Sequence, residues 1–119
     1  MRKISFFIIF LLSFVQFVQA ESFTKADADK AYQENKYAEA IKMYENILAT
    51  QGESAVVYYN LGNSYFKEKN MAKAVLNYER ALLLNPGDAD IRFNLDMARS
   101  KTVDQITPAT EVFIVTWVN

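Results

Sequence analysis

The chain has 119 residues, with 13 Lys and Arg against 14 Asp and Glu and neither cysteine nor histidine. That length allows one domain with short appendages, and the missing residue types exclude disulfides, thiolate nucleophiles, imidazole bases and the usual zinc ligand sets together. A net charge of −1 offers no basic face for nucleic acid.

Residues 1–20, MRKISFFIIFLLSFVQFVQA, have a basic start (Arg2, Lys3), an apolar run from Ile4 to Val18, and small residues at Val18 and Ala20 before the charged Glu21. This is the layout of a secretory signal peptide cleaved after Ala20. The alternative is an uncleaved membrane anchor. In both, positive charge ahead of the run holds the amino end in the cytoplasm and sends the remainder across the membrane. The expected location is therefore the periplasmic side of an inner membrane. Loss of Arg2 and Lys3 with the leader would take the net charge from −1 to −3. An exported chain without cysteine must draw its stability from packing.

After the leader the sequence repeats itself. Tyr37 to Leu48 (YAEAIKMYENIL) lies over Met71 to Leu82 (MAKAVLNYERAL), pairing Ala38 with Ala72, Ala40 with Ala74, Ile41 with Val75, Tyr44 with Tyr78, Glu45 with Glu79 and Leu48 with Leu82, each 34 positions apart. Within each copy the apolar residues follow the stripe of a helix with one buried face. Asn60-Leu61 maps onto Asn94-Leu95, the beginning of a third copy. Glu34-Asn35-Lys36 and Glu68-Lys69-Asn70 are polar breaks, and Asn85-Pro86-Gly87-Asp88 ends the second unit, with Asp88 placed to cap the next helix.

The second unit contains Tyr58, Leu61, Gly62, Tyr65, Ala74, Tyr78, Ala81 and Pro86, and in that order and spacing it resembles the tetratricopeptide repeat. The resemblance implies an all-α fold, a helix-turn-helix array of two repeats plus a C-terminal capping helix with right-handed superhelical stacking. The units are placed at 21–52, 55–88 and, for the capping helix, 89–101. The first unit keeps Ala28, Ala40 and Tyr44 but has Thr24, Asp27, Ala31 and Ile47 where the repeat pattern has other types, so its first helix is expected to begin a residue or so out of register. Gly62 is a packing residue in this reading: it faces Ala74 and Ala81 where two helices cross most closely, and a leucine there would overpack the crossing by about 1–3 kcal/mol or more. In the third unit Asp96 and Arg99 stand in place of Gly62 and Tyr65. Its near face, Ile91, Leu95 and Ala98, is expected to pack backward while the far face meets water, which is how a repeat array ends.

Residues 102–111 are expected to be a linker, and 112–119 turn apolar (Val112 to Val118). That run is too short to span a bilayer, which takes about twenty helical residues. It reads as the start of a membrane segment, with a tail folded against the array as the alternative. Leader, short repeat array and apolar end, together with Asn94-Leu95-Asp96-Met97-Ala98-Arg99, Thr102-Val103-Asp104 and Pro108, resemble the tetratricopeptide-containing component of the Bacteroides-type aerotolerance (Bat) operon. That resemblance implies a membrane-associated partner of von Willebrand-type-domain proteins, in oxygen tolerance or envelope integrity.

First helices of such repeats line a concave groove that takes peptide segments. By position the groove residues are Val56, Tyr59, Asn60, Asn63 and Phe66, joined by Phe93 and Asn94. The asparagines are suited to bond a peptide backbone and the aromatics to make apolar contact; the alternative is that the aromatics are partly core and the asparagines ordinary surface residues. The family's carboxylate clamp for chaperone tails is not expected, because Ser22, Ala26 and Asp90 hold its other places and only Asn60 remains. Lys67, Glu68 and Lys69, and the series Lys36, Glu39, Lys42 and Glu45, read as solvated helix faces. Three readings of function result: a non-enzymatic protein-interaction scaffold, a binding protein for a small envelope glycan or peptide using Tyr59, Asn60, Asn63 and Phe66, and an enzyme with an atypical site. No acid-base pair stands out, Gly52, Gly62 and Gly87 are too scattered to cradle phosphate, and no cofactor or metal is expected.

Overall fold

The computed structural model describes residues 21–118, and the side chains of residues 21–103. The expected signal peptide at 1–20 and the final Asn119 lie outside the described residues. Five helices follow one another: α1 (Lys25–Gln33), α2 (Tyr37–Gln51), α3 (Ala55–Lys67), α4 (Met71–Leu84) and α5 (Ala89–Val118).

Helices α1, α3, α4 and α5 each start where a short polar side chain meets an exposed backbone N–H, whereas α2 follows Lys36, whose side chain makes no capping bond. Thr24 and Asp27 form a reciprocal capping box on α1. Those bonds from the Thr24 backbone and hydroxyl hold the Asp27 carboxyl below its usual range. Ser54 Oγ accepts from Val57 N (3.4 Å) on α3, Asn70 Oδ1 from Lys73 N (3.2 Å) on α4, and Asp88 Oδ1 from Asp90 N and Ile91 N (2.9 and 3.1 Å) on α5. The Ser54 and Asp88 caps are one repeat apart, whereas Thr24 lies about one turn late. Hence α1 has 9 residues where α3 has 13. The first helix is short at its start and not shifted in register: Ala28 and Tyr44, at the places of Gly62 and Tyr78, are buried like them.

The turns inside the two hairpins share one geometry. Asn35 and Lys69 both adopt φ 62°, and the next residue's N–H reaches back to the carbonyl five residues earlier, Lys36 to Ala31 and Asn70 to Tyr65, at 2.9 Å in each. Asparagine tolerates this left-handed conformation, and lysine adopts it at a cost.

Consecutive helices pack on each other, and α1, α3 and α5 also touch in sequence, while α2 and α4 do not meet. The first helices therefore form the inner layer of a curved stack and the second helices splay outward. The core between the layers comprises Ala28, Ala40, Tyr44, Leu61, Ala74, Tyr78 and Ala81 with Ile91, Leu95 and Ala98 from α5, all nearly without exposure. Tyr58 and Tyr65 are buried beside them, and Pro86 stands exposed in the turn before α5.

Gly62 does lie at a close contact with α4, but its neighbour differs from the expected alanines. A Cβ built there would lie 2.6 Å from both Cδ1 and Cε1 of Tyr78. Residues 74, 78 and 81 share one face of α4, and the buried Tyr78 ring fills the middle of that face, with Ala74 and Ala81 on either side.

The expected linker at 102–111 is helical, because α5 continues unbroken to Val118. Residues 101–107 contain no glycine, and a helix already anchored by Ile91, Leu95 and Ala98 gains one hydrogen bond for each residue added. Pro108 deletes a single donor. Among the described residues no helix is long and apolar enough to cross a membrane.

Candidate functional site

The concave face carries two adjoining hollows of about 230 and 220 Å³. Asp29, Tyr32, Gln33, Tyr44, Asn60 and Asn63 line the first. Tyr32 and Asn63 continue into the second, with Phe66, Lys67, Tyr78, Asn94 and Met97.

The floor of the groove is a hydrogen-bonded network that repeats with the fold. In the first rung the Tyr44 hydroxyl donates to Asp29 Oδ1, and Asn60 Nδ2 donates to the same oxygen at 3.4 Å. In the second, the Tyr78 hydroxyl donates to Asn63 Oδ1 at 2.5 Å and Asn94 Nδ2 to the same oxygen at 3.0 Å. Asp29 and Asn63, Tyr44 and Tyr78, Asn60 and Asn94 are each one repeat apart. In each rung an acceptor on a first helix collects the buried tyrosine of its own hairpin and an asparagine of the next first helix, tying three helices together. Burial is the main cause that pushes both tyrosine hydroxyls well above the usual phenol range. A buried hydroxyl left without such a partner would cost about 1–3 kcal/mol.

Of the residues placed in the groove from sequence, the structure brings Asn60, Asn63, Phe66 and Asn94 together along the hollows. Tyr59 lies behind them: its ring sits 5.9 Å from that of Tyr78, and its hydroxyl accepts from Asn94 Nδ2 at 2.9 Å. Val56 and Phe93 are exposed and line neither hollow. Of the groups by which Asn94 was expected to bond a peptide backbone, both N–H groups are engaged, one by Tyr59 and one by Asn63, which leaves the carbonyl oxygen to accept a peptide N–H. Asn63 is the complement: its oxygen is doubly engaged, whereas its NH₂ has two donors to offer.

Asp29, Tyr32, Gln33, Lys67 and Met97 also line the hollows without having been placed in the groove from sequence. Lys67, read as part of a solvated face, is on the groove wall, and Glu45, read likewise, accepts from the buried Tyr65 hydroxyl. Burial first, then that bond, push the Tyr65 hydroxyl up to about 12. The signal available for Asp29 was its offset to Asn63, applied to polar positions as it had been to apolar ones.

No His/Cys/Asp/Glu group able to hold a metal occurs among the described residues. Stacked helical hairpins, an inner layer of first helices and a groove floored by hydrogen-bonded polar side chains define a repeat-type helical scaffold. Residues 55–88, the whole of the second hairpin, match the family model described as Tetratricopeptide repeat. With five helices and no strand among the described residues, the fold is a tetratricopeptide-type helical array, and the match supports a repeat of that family at residues 55–88. Repeats of this family generally mediate protein–protein interaction and typically serve as non-enzymatic scaffolds. No curated protein matches the chain.

Proposed function

We propose that the chain is a non-enzymatic docking scaffold that holds a segment of another protein in the groove across α1, α3 and α5. The observation that carries this reading is the pair of adjoining hollows floored by the two rungs. Tyr32, Phe66 and Met97 give apolar contact there, and Asn63 and Asn94 keep a donor and an acceptor unspent. Fixed polar groups on rigid helices bind without the ordering cost of loops. As a test, tagged full chain and its Phe66→Glu variant capture partners from membrane extracts. Partners lost in the variant at unchanged helicity support docking through the groove, and identical capture refutes it.

The finer setting is also part of the proposal: an exported protein on the periplasmic side of the inner membrane, associated with the membrane and with partners of a Bat-type envelope or aerotolerance complex. It is supported by the leader-like residues 1–20, the apolar residues 112–118 and the resemblance in residues 94–108. Alkaline phosphatase fused after Lys101 should be active in cells, and an inactive fusion would rule out export. The second reading, a small glycan or peptide fragment as ligand, is favoured by the division of the groove into two discrete hollows. Glycan-array binding by the wild type, abolished in Asn63→Ala, would establish it.

A further inference from the structure

The repeat offset compares equivalent groove positions on the three first helices, and charge does not repeat along them. One column reads Gln33, Lys67, Lys101, and its neighbour reads Asp29, Asn63, Met97. The groove thus passes from anionic at α1 to cationic at α5. The anionic end is already satisfied within the fold. Asp29 Oδ2 meets Lys25 Nζ at 2.6 Å, and its Oδ1 takes the Tyr44 and Asn60 bonds.

The cationic end is not. Neither Lys67 nor Lys101 makes an ion pair among the described residues. Lys67 lines the second hollow, and Lys101 Nζ stands 5.8 Å over the Phe66 ring that walls the same hollow. Lysine over an aromatic face is held only weakly where water reaches it, so this ammonium remains available to an anion. Phe66 and Met97, the latter 37% exposed, supply the apolar surface between. The unspent donors of Asn63 and the carbonyl of Asn94 match the acceptor and donor of one peptide unit.

Resting on the docking function proposed above, we propose that the groove selects an acidic-apolar peptide segment, with a carboxylate side chain received by Lys67 and Lys101 at the α5 end and a neighbouring aliphatic or aromatic side chain set against Phe66 and Met97. A neutral segment would leave both ammonium groups unanswered, and a basic one would meet repulsion from both. Complementary charge at an otherwise apolar contact acts on selectivity and on encounter rate.

The test uses a bead-bound library of random short peptides screened with the full chain, followed by fluorescence anisotropy on the enriched sequences. Enrichment of Asp or Glu beside Leu or Phe is expected. Binding should weaken about tenfold or more in the Lys67→Glu/Lys101→Glu double variant and fall as salt rises. Both lysines are exposed, so the double variant should keep its helicity. A Phe66→Ala variant marks the groove itself. Enriched peptides that are neutral or basic but still lose binding in Phe66→Ala overturn the charge selection and leave groove docking standing. Peptides indifferent to Phe66→Ala, or no enrichment at all, overturn both.

Discussion

Replacing Gly62 by alanine sets two known terms against each other. In an exposed helix interior the change would stabilise by about 1 kcal/mol, since glycine is that much poorer than alanine. At position 62 the added methyl would lie 2.6 Å from two carbons of the Tyr78 ring, whereas carbon atoms pack at about 3.5–4.0 Å. The ring must therefore retreat by about 1 Å. It is 1% exposed, and its hydroxyl is fixed on Asn63 at 2.5 Å, so retreat strains the core and the second rung together. Overpacking of this kind costs about 1–3 kcal/mol, and after the propensity gain a net loss of about 1–2 kcal/mol is expected. For an array of this size that lowers Tm by about 4–8 °C per kcal/mol. Thermal melts followed by circular dichroism, and urea curves for the free energy, measure it. The first hairpin supplies the control, because Ala28 already occupies the equivalent place, so Ala28→Gly should also destabilise, there through helix propensity and the loss of a buried methyl, by about 1–2 kcal/mol. A Gly62→Ala protein as stable as the wild type, or more so, would refute the close-crossing argument.

Asn63→Ala should cost about 1–3 kcal/mol in urea denaturation, because it strands the Tyr78 hydroxyl and one Asn94 N–H; an unchanged midpoint would mean the rung is not formed. Lys69→Gly should stabilise by about 0.5–1 kcal/mol by relieving a left-handed lysine, whereas Gly52→Ala, at φ 96°, should destabilise by about 1 kcal/mol; equal signs in calorimetry would contradict the turn geometry. Stability should also fall in alkali. The Tyr65 hydroxyl is raised from the ordinary phenol value of 10.0 to about 12, and those of Tyr44 and Tyr78 are raised too, so their contribution is complete below pH 10 and is lost as pH climbs through 12. Melting temperature against pH, with tyrosinate absorbance alongside, should show one joint transition, and ionisation of all seven tyrosines near pH 10 without unfolding would refute it.

Much of the fold was legible because apolar periodicity and the repeat offset report the same buried faces. Tyr44 pairs with Tyr78 and Ala40 with Ala74 since each pair solves the same packing problem, and Ile91, Leu95 and Ala98 were readable as the near face of α5 for the same reason. The site was harder to read, because its network joins residues 15 and 31 apart in sequence. Asp29 sits in a nine-residue helix among other acidic and basic residues, where nothing local separates a floor residue from a solvated one. Tyr78 is legible as a motif position of the repeat, but nothing in the sequence marks its ring as the surface that excludes a side chain at position 62. The continuation of α5 through residues 102–111 was hidden by Thr107-Pro108, a local stop signal overridden by a helix already nucleated upstream.

The face of α5 that replaces Tyr58, Gly62 and Tyr65 of the preceding repeat carries Arg92, Asp96 and Arg99. Arg92 Nη2 binds the Pro86 carbonyl at 2.7 Å, and Arg99 Nη2 binds Glu79 at 2.7 Å. Any neighbour seeking to extend the stack from that side would have to bury charged groups already folded back on their own chain. The array therefore behaves like a crystal poisoned at its growing face: copies of it should not polymerise end to end through α5, however high the concentration at which they are held together.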